Sequence, residues 1–228
     1  MKIAICFSGK MRTYKKCFPY IKSVLLDKLD YDAYFHTWQD EDIDYNFITD
    51  NYNTKSICIE KQIDWVENYP NKHNCSSGIH SNLGIISMYY KIYMCNKLKN
   101  EYAKANNIKY DCVIRIRPDG VLNNSLSINE LNNLNDIWVG TKDANDRWVV
   151  DTFAFSSPEN MNLYSDTYIN LDELYAKENN LAPEIILRYN LDKYNIKYLH
   201  SNSQLGPVRN NGKIESHTHF GSIEDFIK

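Results

Sequence analysis

Short continuous apolar runs alternate along this chain with longer stretches of helical period. Residues 3–8, Ile-Ala-Ile-Cys-Phe-Ser, are apolar almost without a break, which predicts a strand buried on both faces. Residues 15–28 follow with Phe18, Ile21, Leu25 and Leu29 on one helical face. Asp32–Thr37 predicts a second strand, and Ser56–Ile59 a third after an acidic, irregular stretch over 40–54. The longest helical pattern covers 83–105, through Leu83, Ile86, Tyr90, Tyr93 or Met94, Lys97 or Leu98, and Tyr102, ending at Asn106-Asn107. Tyr110–Arg117 is a fourth strand, and Asp136–Gly140 and Asp151–Phe155 are two more. Ser127-x-x-Glu130 spells a capping box. Ser157-Pro158 and Pro183 open two further helices, the second running to about Asn195, before a late strand over 196–200.

Strands alternating with helices predict an α/β fold with a mainly parallel central sheet flanked by helices. No stretch rich in Pro, Gly or Ser divides the chain, so residues 1–228 read as a single domain. Ligands in such sheets bind beyond the carboxyl ends of the strands. That directs attention to the residues just after positions 8, 37, 117 and 155.

Composition narrows the function classes. Lys plus Arg total 26 against 29 for Asp plus Glu, which lacks the basic excess of a general nucleic-acid binder. No apolar run approaches the ~18–20 residues of a membrane span, and Met1–Phe7 is too short for a signal peptide. The six cysteines are scattered without zinc spacing, as expected of reduced thiols in a cytoplasmic protein.

The most unusual local pattern is Val113-Ile114-Arg115-Ile116-Arg117-Pro118-Asp119. Alternation along a strand puts Arg115 and Arg117 on one face, a costly arrangement unless each is paired. Arg117 and Asp119 read either as an anion- or metal-binding corner or as an ion pair and a turn. For Arg115, pairing with a buried structural acid is expected. The loop Ser8-Gly9-Lys10-Met11-Arg12-Thr13 offers donors from Ser8, Lys10, Arg12 and Thr13 to a nucleotide or diphosphate, with Gly9 permitting close backbone approach, or else forms a solvated turn with Thr13 capping a helix. His36 and Thr37 end the second strand, suited to flank a base or sugar or simply to pack. Asp151 opens an apolar strand, where a carboxylate can take a proton from an attacking hydroxyl or cap a loop. Glu184 sits in a first helical turn, where the helix dipole already explains it. His217 and His219 form a His-x-His pair that needs a third ligand, with Asp119 available, or are tail histidines.

Three blocks taken together resemble a known family. Ala4–Tyr14, Tyr110–Asp119 and Asp151–Ser156 are similar in order and spacing to small GT-A-type glycosyltransferases of bacterial surface-polysaccharide loci and large DNA viruses. Tyr34–Trp38 and Pro183–Leu187 extend the likeness over nearly the whole chain. The resemblance implies a GT-A-like (Rossmann-like) domain. Its nucleotide-sugar site would lie over the first, second and fourth strands, drawing on Ser8, Gly9, Arg12, His36, Thr37, Arg117 and Asp119. It implies a nucleotide-sugar donor, a UDP-sugar before GDP- or dTDP-sugars, and a glycan acceptor. It also implies a divalent cation, Mn²⁺ or Mg²⁺, at an Asp-x-Asp motif. Here that position reads Arg117-Pro118-Asp119, so a cation site would rest on Asp119 with His217 or His219, and Arg117 would take over part of the cation's work. Asp151 is then the expected general base of an inverting transfer, with Glu184 its competitor. A nucleotidyltransferase of similar architecture and an inactive nucleotide- or carbohydrate-binding module are the alternatives.

Overall fold

The computed structural model describes residues 1–40, 43–65, 82–140, 148–177, 182–215 and 220–226. Its main sheet has seven strands: β1 (Ile3–Ser8), β2 (Tyr31–Trp38), β3 (Thr54–Glu60), β4 (Cys112–Ile116), β6 (Ile137–Val139), β7 (Phe153–Ser156) and β8 (Tyr198–His200). Their spatial order is β3-β2-β1-β4-β7-β6-β8. The sheet is mostly parallel, as the alternation of strands and helices predicts. β7 alone is reversed, antiparallel to both β4 and β6.

Both faces of the sheet are buried. Ile3, Ile5 and Phe7 point into one layer, where α1 (Tyr14–Val24) and α2 (Tyr45–Asn51) cover them. Phe7 stacks on Phe35 there, with ring centroids 4.6 Å apart, and burying each ring contributes about 1.5–3 kcal/mol. Ala4, Cys6, Tyr34 and Val113 face the other layer, filled by α3 (Asn82–Ala105), α5 (Pro158–Ser165), α6 (Leu171–Lys177) and α7 (Pro183–Lys193). The Ser127–Glu130 capping box forms as expected and opens α4 (Ile128–Leu131).

Several expectations change. The acidic stretch 40–54 holds a helix, α2, because the Asp44 side chain accepts the Phe47 amide and caps it. Helix α1 ends at Val24 rather than running to 28; a short 3₁₀ turn, Leu26–Lys28, follows. In α3 the buried face is rotated from the expected one. It runs through Ile85, Ile86, Tyr89, Ile92, Cys95 and Lys99, while Lys97 is exposed. A small antiparallel pair, β5 (Gly120–Leu122) with β9 (Leu205–Pro207), lies beneath the end of β4. β10 (Ile214–Glu215), β11 (Phe220–Gly221) and α8 (Ile223–Phe226) follow in the chain. Among the described residues no helix is long and apolar enough to cross a membrane.

Candidate functional site

Strands β1 and β4 are parallel neighbours in register, Phe7 opposite Ile116, so their outgoing loops leave the same edge of the sheet. Gly9 turns the first loop with φ +139, a conformation that side chains rarely adopt. The turn brings Arg12 onto the loop after β4. Arg12 donates to Asp119 Oδ2 from Nε at 3.1 Å and from Nη2 at 2.7 Å. Arg117 donates to the same carboxylate from Nε to Oδ1 at 2.9 Å and from Nη2 to Oδ2 at 3.0 Å. Asp119 is fully buried, with 0% exposure. Burial alone would push its pKa up, but Arg117 and then Arg12 outweigh burial and hold it below the usual carboxylate range.

Of the two readings of Arg117 and Asp119, the structure shows the ion pair. Both Asp119 oxygens are engaged by guanidiniums, so a divalent cation there would have to displace one and sit against the other. Among the described residues, Asp119 stands as an ion pair and not as an open ligand for the Mn²⁺ or Mg²⁺ that the resemblance implies. His217 and His219, the other expected ligands, lie outside the described residues. The cap reading of Thr13 is corrected: its hydroxyl donates to the Val208 carbonyl at 2.8 Å and does not cap α1.

Two arginines against one aspartate leave the corner net positive, and Arg12 and Arg117 are both partly exposed. A third cation joins them that the sequence pattern hides. Lys91, on α3, is 2% exposed, and its Nζ lies 4.5 Å above the Trp38 ring. Burial, then the charges of Lys10 and Arg117, pushes its pKa down to about 7. Arg12 and Arg117 against Asp119 leave one guanidinium charge in excess at this corner, and a bound anion would also draw a proton onto Lys91.

The reversal of β7 brings a pair of acids to the same edge. Ile116 at the end of β4 pairs with Phe153 at the start of β7, which sets Asp151 beside the β4 exit. Asp151 and Glu184 are each 6% exposed. Burial first, and the charge of Glu184 second, raise the pKa of Asp151, with Arg115 and Arg117 opposing. Glu184 does occupy the first turn of α7, behind Pro183. The helix dipole is thus only part of its account, because its charge also bears on a buried neighbour. Arg115 is buried as expected, but its hydrogen bonds are not to an acid: Nη1 donates to the Asp151 carbonyl and Nε to Ser8 Oγ at 3.4 Å. It anchors the backbone that presents Asp151.

Ser8, Gly9, Arg12, Arg117, Asp119, Asp151 and Glu184 thus gather at one sheet edge. His36 and Thr37 stand one strand over, His36 in register with Ser8, and both are buried. Burial, with Lys91 nearby, pushes His36 down to about 4, so the ring is neutral at pH 7. The loop from Asn68 to Ser81, which its place in the sequence makes a candidate wall of the site, and the polar stretch with Asp143, Asp146 and Arg147 ahead of Asp151 lie outside the described residues.

Residues 1–203 match the family described as Domain of unknown function (DUF7796), and the chain belongs to that family. No curated protein matches it.

Proposed function

We propose that this protein transfers a sugar from a nucleoside-diphosphate sugar, a UDP-sugar first among them, to a hydroxyl of a glycan acceptor. The observation that carries the reading is one of placement: a largely buried, net-positive corner of Arg12, Lys91 and Arg117 beside a buried acid pair, Asp151 and Glu184. A departing diphosphate carries the charge that such a corner neutralises. A desolvated carboxylate has the basicity needed to take the acceptor's proton as the glycosidic bond forms. In this reading the guanidiniums and Lys91 meet the diphosphate, Gly9 lets the backbone approach it, and Asp151 is the general base of an inverting transfer. Asp119 holds the two arginines in place and touches no substrate. The reading includes a cytoplasmic setting, which the free thiols of Cys6, Cys17, Cys58, Cys95 and Cys112 suit.

The test is turnover across a panel of UDP-, GDP- and dTDP-sugars, with and without glycan acceptors, reading the nucleoside diphosphate released. Release of pyrophosphate from a nucleotide and a sugar phosphate would replace this reading with a nucleotidyltransferase. Nucleotide binding with no release under any condition would leave a binding module. Lys91→Met is expected to weaken UDP binding by about 10–100-fold in calorimetry, the worth of a charge-assisted hydrogen bond. Unchanged affinity would remove Lys91 from the site.

A further inference from the structure

His36, Cys58 and Glu60 form a second cluster, on the far side of β1 from the acid pair. His36 on β2 is in register with Cys58 on the parallel edge strand β3. Register partners in a parallel pair point to the same face, and Glu60 is two residues on from Cys58, so all three share one face. That face is the one α3 covers, where the His36 ring meets Tyr90 edge-on at 5.7 Å and Tyr90 stacks on Trp38 at 5.5 Å. One ligand-type atom from each of the three lies within 4.8 Å of the others.

The cluster is incomplete as it stands. His36 is 1% exposed, yet neither ring nitrogen has a hydrogen-bond partner. Its Nε2 lies 3.1 Å from Glu60 Oε1, which is also unpartnered, so the two approach without the alignment of a hydrogen bond. Buried polar atoms left in this way are rare and ask for a partner. Two ligand atoms of a tetrahedral ion with bonds of roughly 2.1 Å sit about 3.4 Å apart, close to the 3.1 Å between His36 Nε2 and Glu60 Oε1.

We propose that His36, Cys58 and Glu60 form a zinc-class transition-metal site. An imidazole, a thiolate and a carboxylate are the donors such ions take, whereas Mg²⁺ and Ca²⁺ take oxygen alone. Three protein ligands leave a fourth position for water or a ligand group, and the partly exposed side of Glu60 gives the ion a way in. The site shares no ligand with Asp119, and Lys91, whose charge bears on both His36 and Glu60, is its link to the proposed donor corner.

The test uses untagged full-length protein, stripped with chelator and dialysed, then titrated with Zn²⁺ alone by calorimetry. Co²⁺ loading provides a second reading through the thiolate-to-cobalt absorption band. Saturable binding of a single equivalent is expected. Cys58→Ser and Glu60→Gln, whose side chains are only partly buried, should each weaken it at least about tenfold, a direct ligand mattering no less than its supporting partners. Cys58→Ser should also remove the cobalt band. Far-UV circular dichroism establishes that the variants are folded. The proposal is overturned by absent saturable binding in the wild type, by undiminished binding in both variants, or by loss that instead follows His217→Ala with His219→Ala.

Discussion

Asp119 and Asp151 are both buried carboxylates at one edge of one sheet, and their surroundings drive them in opposite directions. Asp119 meets two guanidiniums with both oxygens and stays ionised below the usual range. Asp151 faces another buried acid, while the arginine beneath it spends a hydrogen bond on the backbone carbonyl, and its pKa rises. Burial is the first cause acting on both. What differs is whether the nearest charge is a cation or another carboxylate. The contrast separates a group that maintains structure from one suited to move a proton, a distinction that residue type alone does not make.

The strongest way to break the comparison is to remove Asp119. Asp119→Ala strands two guanidiniums against each other in a largely closed corner. The expected loss is about 3–5 kcal/mol of stability, read from urea unfolding midpoints at constant m-value. A loss under about 1 kcal/mol would show that solvent already screens the arginines. In that case a loss of activity in the still-folded variant would point to a direct role for Asp119.

Asp151→Asn should do the reverse. The variant should fold as well as the wild type or better, while kcat falls by about 10²–10⁴ and donor affinity stays near its original value. If donor affinity falls in parallel, Asp151 serves the donor corner and the contrast collapses. If neither changes, Glu184 becomes the candidate base.

The finest measurement is the pH dependence of stability. Asp119 has a folded pKa below its ordinary 3.8, so its contribution is present above that value and is lost as pH falls through the lower, folded one. Asp151 has a folded pKa above 3.8, so its contribution is full below that value and is lost as pH rises through the higher one. Asp151→Asn should therefore match the wild type near pH 3 and gain on it steadily toward pH 7. A constant difference across that range would mean that Asp151 titrates alike in the folded and unfolded chain.

Much of this arrangement was legible in the residues because continuous apolar runs and strand exits need no long-range information. β1, β2, β4 and β7 lie within two or three residues of where the pattern puts them, and Ser8, Gly9, Arg12, Arg117, Asp119 and Asp151 follow from their ends. Helix α2 was hidden because it buries Ile48 alone, which sets no period. Lys91 was hidden because a lysine in a helical pattern reads as solvated; only the fold shows Trp38 beneath it. Asp119 read as an open ligand because Arg12, 107 positions away, carries no local sign of reaching it. Cys58 read as part of a short third strand and Glu60 as the residue beyond it, and only the pairing of β3 with β2 brings them beside His36.

The small pair β5–β9 has a consequence for where this chain tolerates being cut. β9 begins at Leu205, just past residues 1–203, which match the family. Among the described residues β5 pairs with β9 alone, and the Val208 amide donates to the Asp119 carbonyl at 2.7 Å. Ending the chain at 203 would leave the amides and carbonyls of Gly120–Leu122 as a bare strand edge beside the two arginines. An exposed edge recruits another strand, so a shortened chain of this kind is expected to self-associate before it melts, and size-exclusion chromatography would detect that directly.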